Sequence, residues 1–315
     1  MIRAATLLTL ALASPAGAFE LAWPAACTPG ETCHVQNYFD HDATTAFGDF
    51  TCGPLGYDGH DGTDIALPDR AAMEAGVQVL AAAAGTVKGM RDGVADFVPT
   101  EPDRECGNGV LISHPDGWET QYCHMKQGSV LVQPGDQVAL GQPLGLIGQS
   151  GMAEFPHLHI TVRHDGAELD PFAPDTPTTC ATAPPAAGDL WSSRVAYEPG
   201  GLLSAGFSAA VPEYDAIRMG LATTPLPATA PGLVLWAYAF GTRIGDTMTF
   251  HITGPDGEFL TQDFTIDRTQ AQMFRATGRR LTTPAWPAGT YSGTITLTRD
   301  SNQLDQITTE VQVNP

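Results

Sequence analysis

The sequence has few basic residues, and this limits the kinds of molecule that the protein can bind. Lysine and arginine total 15 among 315 residues, against 35 aspartates and glutamates. A protein that binds nucleic acid must neutralise phosphates, and a chain with a formal net charge of −20 would instead repel them. We therefore expect no nucleic-acid partner.

Long hydrophobic runs are also scarce. The apolar run at residues 4–12 is shorter than the roughly 20 residues that a membrane span requires. It follows Arg3 and precedes the small residues 16–18, which is the layout of a secretory signal peptide with its cleavage site. We predict that residues 1–18 are a signal peptide. We also predict that the remaining chain has no integral membrane segment and is exported to the periplasm or the cell exterior.

The six cysteines include no C-x-x-C pair, which argues against a structural zinc ribbon. An even number of cysteines in an exported chain favours disulfides. We predict three pairs: Cys27 with Cys33, Cys106 with Cys123, and Cys52 with Cys180. A turn at residues 115–116 leaves Cys106 about two positions from facing Cys123, which bulges could correct or which could leave the two unbridgeable.

Helical periodicity is weak, and short apolar or alternating runs between Gly, Pro and Asp turns predict an all-β chain. Residues 69–76 alone are predicted to form a short helix. In the first half the predicted strands are 77–80, 86–90, 109–114, 119–124 and 144–147. In the second half they are 233–240, 247–253, 259–266, 290–299 and 307–313.

Composition also divides the chain into domains. The stretch 181–198 begins rich in proline and alanine, which predicts a linker. It separates a predicted antiparallel β domain at 19–180 from a second domain at 199–315. The short strands of the second domain are typical of an immunoglobulin-like β-sandwich. We interpret that domain as a spacer, with binding of the cell wall or of a protein partner as the alternative.

Two short segments carry residues that suit a metal ion. His157 and His159 alternate on a predicted strand, so both project from the same face. His60 and Asp64 lie four residues apart on a glycine-containing turn. Two imidazoles and one carboxylate suit zinc and leave its fourth position to water, as in catalytic sites. We predict one zinc ion per chain.

The order of further motifs extends this pattern. The chain reads H-D-G-T-D at 60–64, G-N-G-V at 107–110, Y-C-H at 122–124, P-G-D-Q-V at 134–138 and P-H-L-H at 156–159. Over residues 55–172 this order resembles the M23 family of metallopeptidases, the lysostaphin or LytM-type endopeptidases. The resemblance implies an M23-type peptidase domain with zinc on His60, Asp64 and His159. It also implies that His124 and His157 are catalytic without binding the metal, and that the substrate is a peptide stem or cross-bridge of peptidoglycan.

The expected chemistry follows from these roles. Zinc acidifies its bound water and polarises the scissile carbonyl. We expect His157 to take the proton from that water and His124 to stabilise the oxyanion, although the two roles could be exchanged. Cys123 precedes His124 on a predicted strand, so we expect it to face away from His124 and to form a disulfide.

Two rival functions share parts of the pattern. A non-hydrolytic cell-wall binding or amidase-activating protein on the same scaffold usually loses metal ligands, whereas all five positions are kept here. A lipoyl or biotinyl carrier shares the pattern of residues 135–141, but Lys126 precedes that pattern, and in carriers the attachment lysine follows it. The resemblance leaves open which bond is cut, a cross-link between D-alanine and diaminopimelate or a glycine bridge.

Overall fold

The computed structural model describes residues 19–98, 101–175 and 188–314. Within these ranges helix is confined to α1 (Arg70–Ala75), α2 (Tyr214–Arg218) and a 3-10 turn at Pro115–Gly117. The all-β prediction is confirmed. None of the helices in the described ranges has the length and apolar character of a membrane span. The predicted signal peptide and residues 181–187 of the predicted linker lie outside the described ranges.

The first half forms an antiparallel sheet with a smaller sheet beside it. Its strands are β1 (His34–Asn37), β2 (Thr63–Ala66), β3 (Gln78–Leu80), β4 (Gly85–Arg91), β5 (Asn108–Ser113), β6 (Trp118–Met125), β7 (Gln137–Val138), β8 (Pro143–Leu146), β9 (His157–His164) and β10 (Ala167–Leu169). The larger sheet has the order β1-β2-β9-β6-β5-β4-β7, with β10 beside β9, and β3 pairs with β8. All of these pairs are antiparallel, as predicted.

Strand β9 shows how the sequence divides the larger sheet into two faces. Leu158, Ile160 and Val162 are fully buried in the hydrophobic core of this half. The alternate residues His157 and His159 therefore project from the opposite face, because successive side chains of a strand point to opposite sides. One face of β9 therefore packs in the core, and its other face presents the two histidines.

Helix α1 begins and ends where the sequence predicts. The side chain of Asp69 accepts a hydrogen bond from the amide of Ala72, which caps the first turn. Gly76, with φ of 89°, ends the helix. The predicted span of residues 69–76 covers the helix and both of its caps.

The second half consists of two sheets that share one hydrophobic core. Its strands are β11 (Gly201–Ser208), β12 (Leu226–Pro227), β13 (Gly232–Thr242), β14 (Thr247–Gly254), β15 (Gly257–Thr265), β16 (Gln270–Arg280), β17 (Gly289–Arg299) and β18 (Asn302–Asn314). The sheets have the orders β11-β13-β16 and β12-β18-β17-β14-β15. Leu235 of the first sheet and Phe250 of the second lie in the same core, so the sheets face each other. The immunoglobulin-like type of this sandwich stays a prediction.

The two halves meet at strand β1. The side-chain amide of Gln36 donates to the carbonyl of Ala271 at 3.1 Å, and the ring of His34 lies 4.3 Å from that of Phe240. Trp191, inside the predicted linker, is 6% exposed and packs in the core of the first half. The domain bounds themselves stay a prediction.

Candidate metal centre

The three predicted ligands come together from two paired strands and one turn. Asp64 lies on β2 directly opposite His159 on β9, so the two side chains share one face of the sheet. His60 follows the turn that precedes β2, and its amide donates to the carbonyl of Tyr57. The expectation that Asp64 lies on the turn is wrong, because pairing with β9 draws residues from Thr63 onward into a strand.

The three ligand atoms converge on a single point. Nε2 of His60 lies 3.2 Å from Oδ1 of Asp64 and 3.2 Å from Nδ1 of His159. Nδ1 of His159 lies 2.8 Å from the same oxygen of Asp64. Tetrahedral zinc with bonds of about 2.0 Å separates its ligands by about 3.3 Å. The buried triangle therefore has the size and the donor set that a metal ion needs.

Each candidate ligand histidine has a hydrogen-bond partner for its other ring nitrogen. Nδ1 of His60 donates to the carbonyl of Tyr38 at 2.6 Å. In this tautomer Nε2 carries the lone pair that can bind a metal. Nε2 of His159 lies 3.0 Å from Oγ1 of Thr161 and 3.2 Å from Oδ1 of Asp61. Such outer contacts fix the tautomer and orientation of a ligand.

The candidate carboxylate ligand, Asp64, is held in the same way. The side-chain amide of Asn37 donates to Oδ2 of Asp64 at 2.8 Å, on the side away from the histidines. Sequence reasoning missed Asn37, Tyr38, Asp61 and Thr161 as partners of the ligands. Thr161 continues the H-x-H alternation of β9, which could have indicated it. The roles of Asn37 and Tyr38 depend on strand pairing, which no local pattern predicts.

These contacts also set the charges of the ligands. Burial raises the pKa of Asp64, but its interactions with His60, His157 and His159 outweigh this effect, so this pKa lies well below its usual range. Burial lowers the pKa of His159, but hydrogen bonds to Asp61 and Asp64 raise it on balance to about 9. The metal-free site therefore holds a proton on His159, and metal binding must release it.

Two further histidines border the ligand triangle. His157 is buried on β9, with Nε2 lying 3.4 Å from Oδ1 of Asp64, and its ring centroid lies 4.5 Å from that of His124. Nδ1 of His157 donates to the carbonyl of Phe155 at 2.8 Å. Nδ1 of His124 donates to the carbonyl of Ser150, also at 2.8 Å. In both rings it is therefore Nε2 that is left for the site.

His124 reaches the site through a bulge. Two residues of β6, Cys123 and His124, lie opposite the single residue Gly109 of β5. His124 has φ of 62°, a left-handed conformation that is uncommon for residues other than glycine. Cys123 lies opposite His159 and so shares the face that carries the site. The expectation that Cys123 faces away from His124 is wrong, because the bulge breaks the alternation and turns both residues to this face.

The cysteines bear out two of the predicted pairs. Cys27 is bonded to Cys33 and Cys106 to Cys123. The chain reverses at Gly107, whose φ is 62°, and Sγ of Cys106 lies over Gly109, 2.9 Å from where a Cβ would stand. The third pair stays a prediction, because Cys180 lies outside the described residues.

Comparison with known proteins agrees with this geometry. Residues 58–171 match the family model of peptidase family M23. The resemblance of this stretch to peptidase family M23 is confirmed. All five histidine and aspartate positions of the site fall inside the match, whereas Asn37 and Tyr38 precede it.

Three curated relatives are similar to part of this chain. The DD-carboxypeptidase/endopeptidase Mpg of Neisseria meningitidis is 33% identical over 121 residues, which are 38% of this chain and 23% of the relative. Cell division protein DipM of Caulobacter vibrioides is 31% identical over 118 residues, which are 38% of this chain and 17% of the relative. Peptidoglycan DD-endopeptidase ShyA of Vibrio cholerae is 34% identical over 100 residues, which are 32% of this chain and 19% of the relative. The chain thus matches less than a quarter of the length of each relative.

Solved structures include similar chains as well. The catalytic domain of lysostaphin from Staphylococcus simulans is 25% identical, and the alignment covers 38% of this chain and 82% of that domain, with a TM-score of 0.29.

Proposed function

We propose that the chain is a zinc endopeptidase that hydrolyses peptide bonds in the stems or cross-bridges of peptidoglycan. The observation that carries the proposal is the convergence of His60, Asp64 and His159, with pairs of ligand atoms no more than 3.2 Å apart. A relative named as a peptidoglycan DD-endopeptidase supports the substrate class. A bound zinc ion would supply an acidified water and polarise the scissile carbonyl.

The two non-ligand histidines would handle the protons. Burial, and in the metal-free site also the charges of the neighbouring His157 and His159, lowers the pKa of His124 well below its usual range. Because Nδ1 of His124 donates to Ser150, Nε2 carries the lone pair and can accept a proton. We propose His124 as the general base. This exchanges the roles first expected for the two histidines.

His157 is then the candidate donor. Its Nε2 lies 3.4 Å from Oδ1 of Asp64, at the border of the ligand triangle. A protonated Nε2 can donate a hydrogen bond to the oxyanion of the tetrahedral intermediate. His124, once protonated, can return its proton to the leaving amine.

Export follows as part of the proposal, since peptidoglycan lies outside the cytoplasm. The two disulfides agree with an oxidising compartment, where such bonds persist. Residues 199–315 are proposed as a separate spacer domain.

Incubation with purified sacculi tests the function. We expect the protein to release muropeptides with new amino termini on their stem peptides, identified by mass spectrometry, and the His60→Ala variant to release none. Sacculi left unchanged by a zinc-loaded protein would contradict the peptidase and favour the non-hydrolytic alternative. Release by both proteins would show that another centre does the chemistry.

A further inference from the structure

Strand β1, which precedes the M23 segment, contacts two of the three candidate ligands. Asn37 lies opposite Asp64 in the antiparallel pairing of β1 with β2, after a register shift between Val35 and Asn37. The shift places Asn37 on the face that carries the metal centre, where it is 9% exposed. Its amide nitrogen donates to Oδ2 of Asp64 at 2.8 Å.

The next residue supports a second ligand. The carbonyl of Tyr38 accepts the Nδ1 proton of His60 at 2.6 Å. The ring of Tyr38 is fully buried, with edge contacts to the rings of Phe50 and Phe172. Its amide donates to the carbonyl of Leu55. Packing and hydrogen bonds therefore hold the end of β1 in place beside His60.

The amide of Asn37 fixes the orientation of the Asp64 carboxylate, so that one oxygen accepts from the amide and the other faces the metal site. An ionised carboxylate can only accept hydrogen bonds, so the amide nitrogen, and not the amide oxygen, must face it. With Oδ2 occupied in this way, Oδ1 is the oxygen that lies beside His60 and His159. Without the amide, Asp64 could turn about its terminal torsion, and a buried oxygen would lose its partner.

We infer that Asn37 is a positioning residue for the metal centre, which holds Asp64 as a one-oxygen ligand. A segment outside the family match thereby completes the site. The inference rests on the proposed function only for the identity of the ion.

The neighbouring residue provides a matched control. Gln36 is 1% exposed, but its side chain contacts Ala271 and Gln272 of the second half and none of the ligands. Asn37→Leu keeps the approximate shape of the side chain and removes the donor. Gln36→Leu makes the same kind of change one position away. Zinc dissociation constants of the full chains, measured by competition with a chromophoric chelator, compare the two.

We expect Asn37→Leu to weaken zinc binding about 10- to 100-fold, as for other partners of metal ligands. Gln36→Leu should bind zinc as tightly as the unchanged protein. The absorption spectrum of the cobalt(II)-loaded protein should change in Asn37→Leu and not in Gln36→Leu, since it reports ligand geometry. If Asn37→Leu does not fold, Asn37→Ala takes its place with the same expected loss.

His60→Ala, measured in parallel, separates this inference from the proposed function. If His60→Ala binds zinc like the unchanged protein, the metal centre itself is misassigned. If His60→Ala loses zinc while the Asn37 variant keeps full affinity and an unchanged cobalt spectrum, the centre stands and the positioning role is refuted. Equal losses in the Asn37 and Gln36 variants would also overturn it, because the effect would then be structural.

Discussion

Gly62 lies against the ring of a candidate ligand. A Cβ at this position would stand 2.7 Å from Nε2 of His159 and 2.5 Å from the carbonyl oxygen of Ile160. Its φ is not in the left-handed region, so close approach, and not turn conformation, requires a glycine here.

Gly62→Ala should therefore damage both the fold and the metal centre. We expect a loss of about 1–3 kcal/mol in the free energy of unfolding from the overpacking, together with lower zinc content as His159 is displaced. Gly89→Ala is the control, since a Cβ there would meet nothing within 4 Å. Denaturant unfolding and metal analysis on both variants test this. Normal zinc content in Gly62→Ala would contradict it.

His124 and His157 should matter for rate and hardly for metal binding. Replacing either by alanine should keep zinc and lower hydrolysis about 10²- to 10⁴-fold, the usual contribution of a proton-transfer group. Should these histidines only pack in the sheet, the variants would instead lose stability and keep the rate per folded molecule. Zinc content, melting temperature and sacculus hydrolysis on the same preparations distinguish the two outcomes. Loss of zinc from either variant would make that histidine a ligand.

At the scale of elements, the bulge of β6 and the disulfide beside it form one unit. The amide of His124 donates to the carbonyl of Cys106 at 2.8 Å, and Cys106 is bonded to Cys123. Left-handed backbone outside glycine costs free energy and persists only where the surroundings enforce it. The disulfide is therefore placed to hold the conformation that aims His124 at the site.

Removing this disulfide by Cys106→Ser with Cys123→Ser should lower activity as well as stability. A disulfide that closes a loop of roughly 15 residues contributes about 3 kcal/mol. We expect a loss of that size and a lower kcat with zinc retained. Cys27→Ser with Cys33→Ser is the matched control, which should lose stability and keep its kcat. Equal kcat in both double variants, per folded molecule, would show that the bond near the site has no catalytic role.

The strands differ in how well their sequences reveal them. Strands β5, β6, β13, β14 and β17 alternate apolar and polar residues or run apolar between turns, so they were predicted within a few residues. Strand β16 was missed because Met273 is its only buried residue and most of its side chains are polar. Strand β2 was missed because it has four residues, all buried, one of them a candidate ligand.

At the scale of the whole molecule, acid should act on the junction between the two halves. His34, 3% exposed and packed on Phe240, has its pKa lowered to about 4 by burial, which outweighs a hydrogen bond to Gln36. Between pH 6.5 and pH 4, His34 is therefore protonated in the unfolded chain and neutral in the folded chain. This contribution to stability is therefore complete above pH 6.5 and is lost as the pH falls toward 4. It corresponds to about 3 kcal/mol.

The variant His34→Gln should not show this loss of stability at acid pH. Urea unfolding at pH 7 and at pH 4.5 gives the change in the free energy of unfolding for each protein. We expect the change to be smaller in the variant by up to about 3 kcal/mol, with all other titrating groups common to both. The same pH dependence in both proteins would place the acid-sensitive group elsewhere.

The sequence by itself determined the chemistry of the centre and the class of the fold. The spacing of His157 and His159 puts two imidazoles on one face of any strand, and alternation predicts β-structure without knowledge of the pairing. Tertiary structure decided how the side chains of the candidate centre are positioned and oriented. The bulge at His124, the amide of Asn37 on Asp64 and the close approach of Gly62 to His159 all depend on the register of strands that lie far apart in the chain. Register is set by packing across the whole sheet, which no short stretch of sequence encodes.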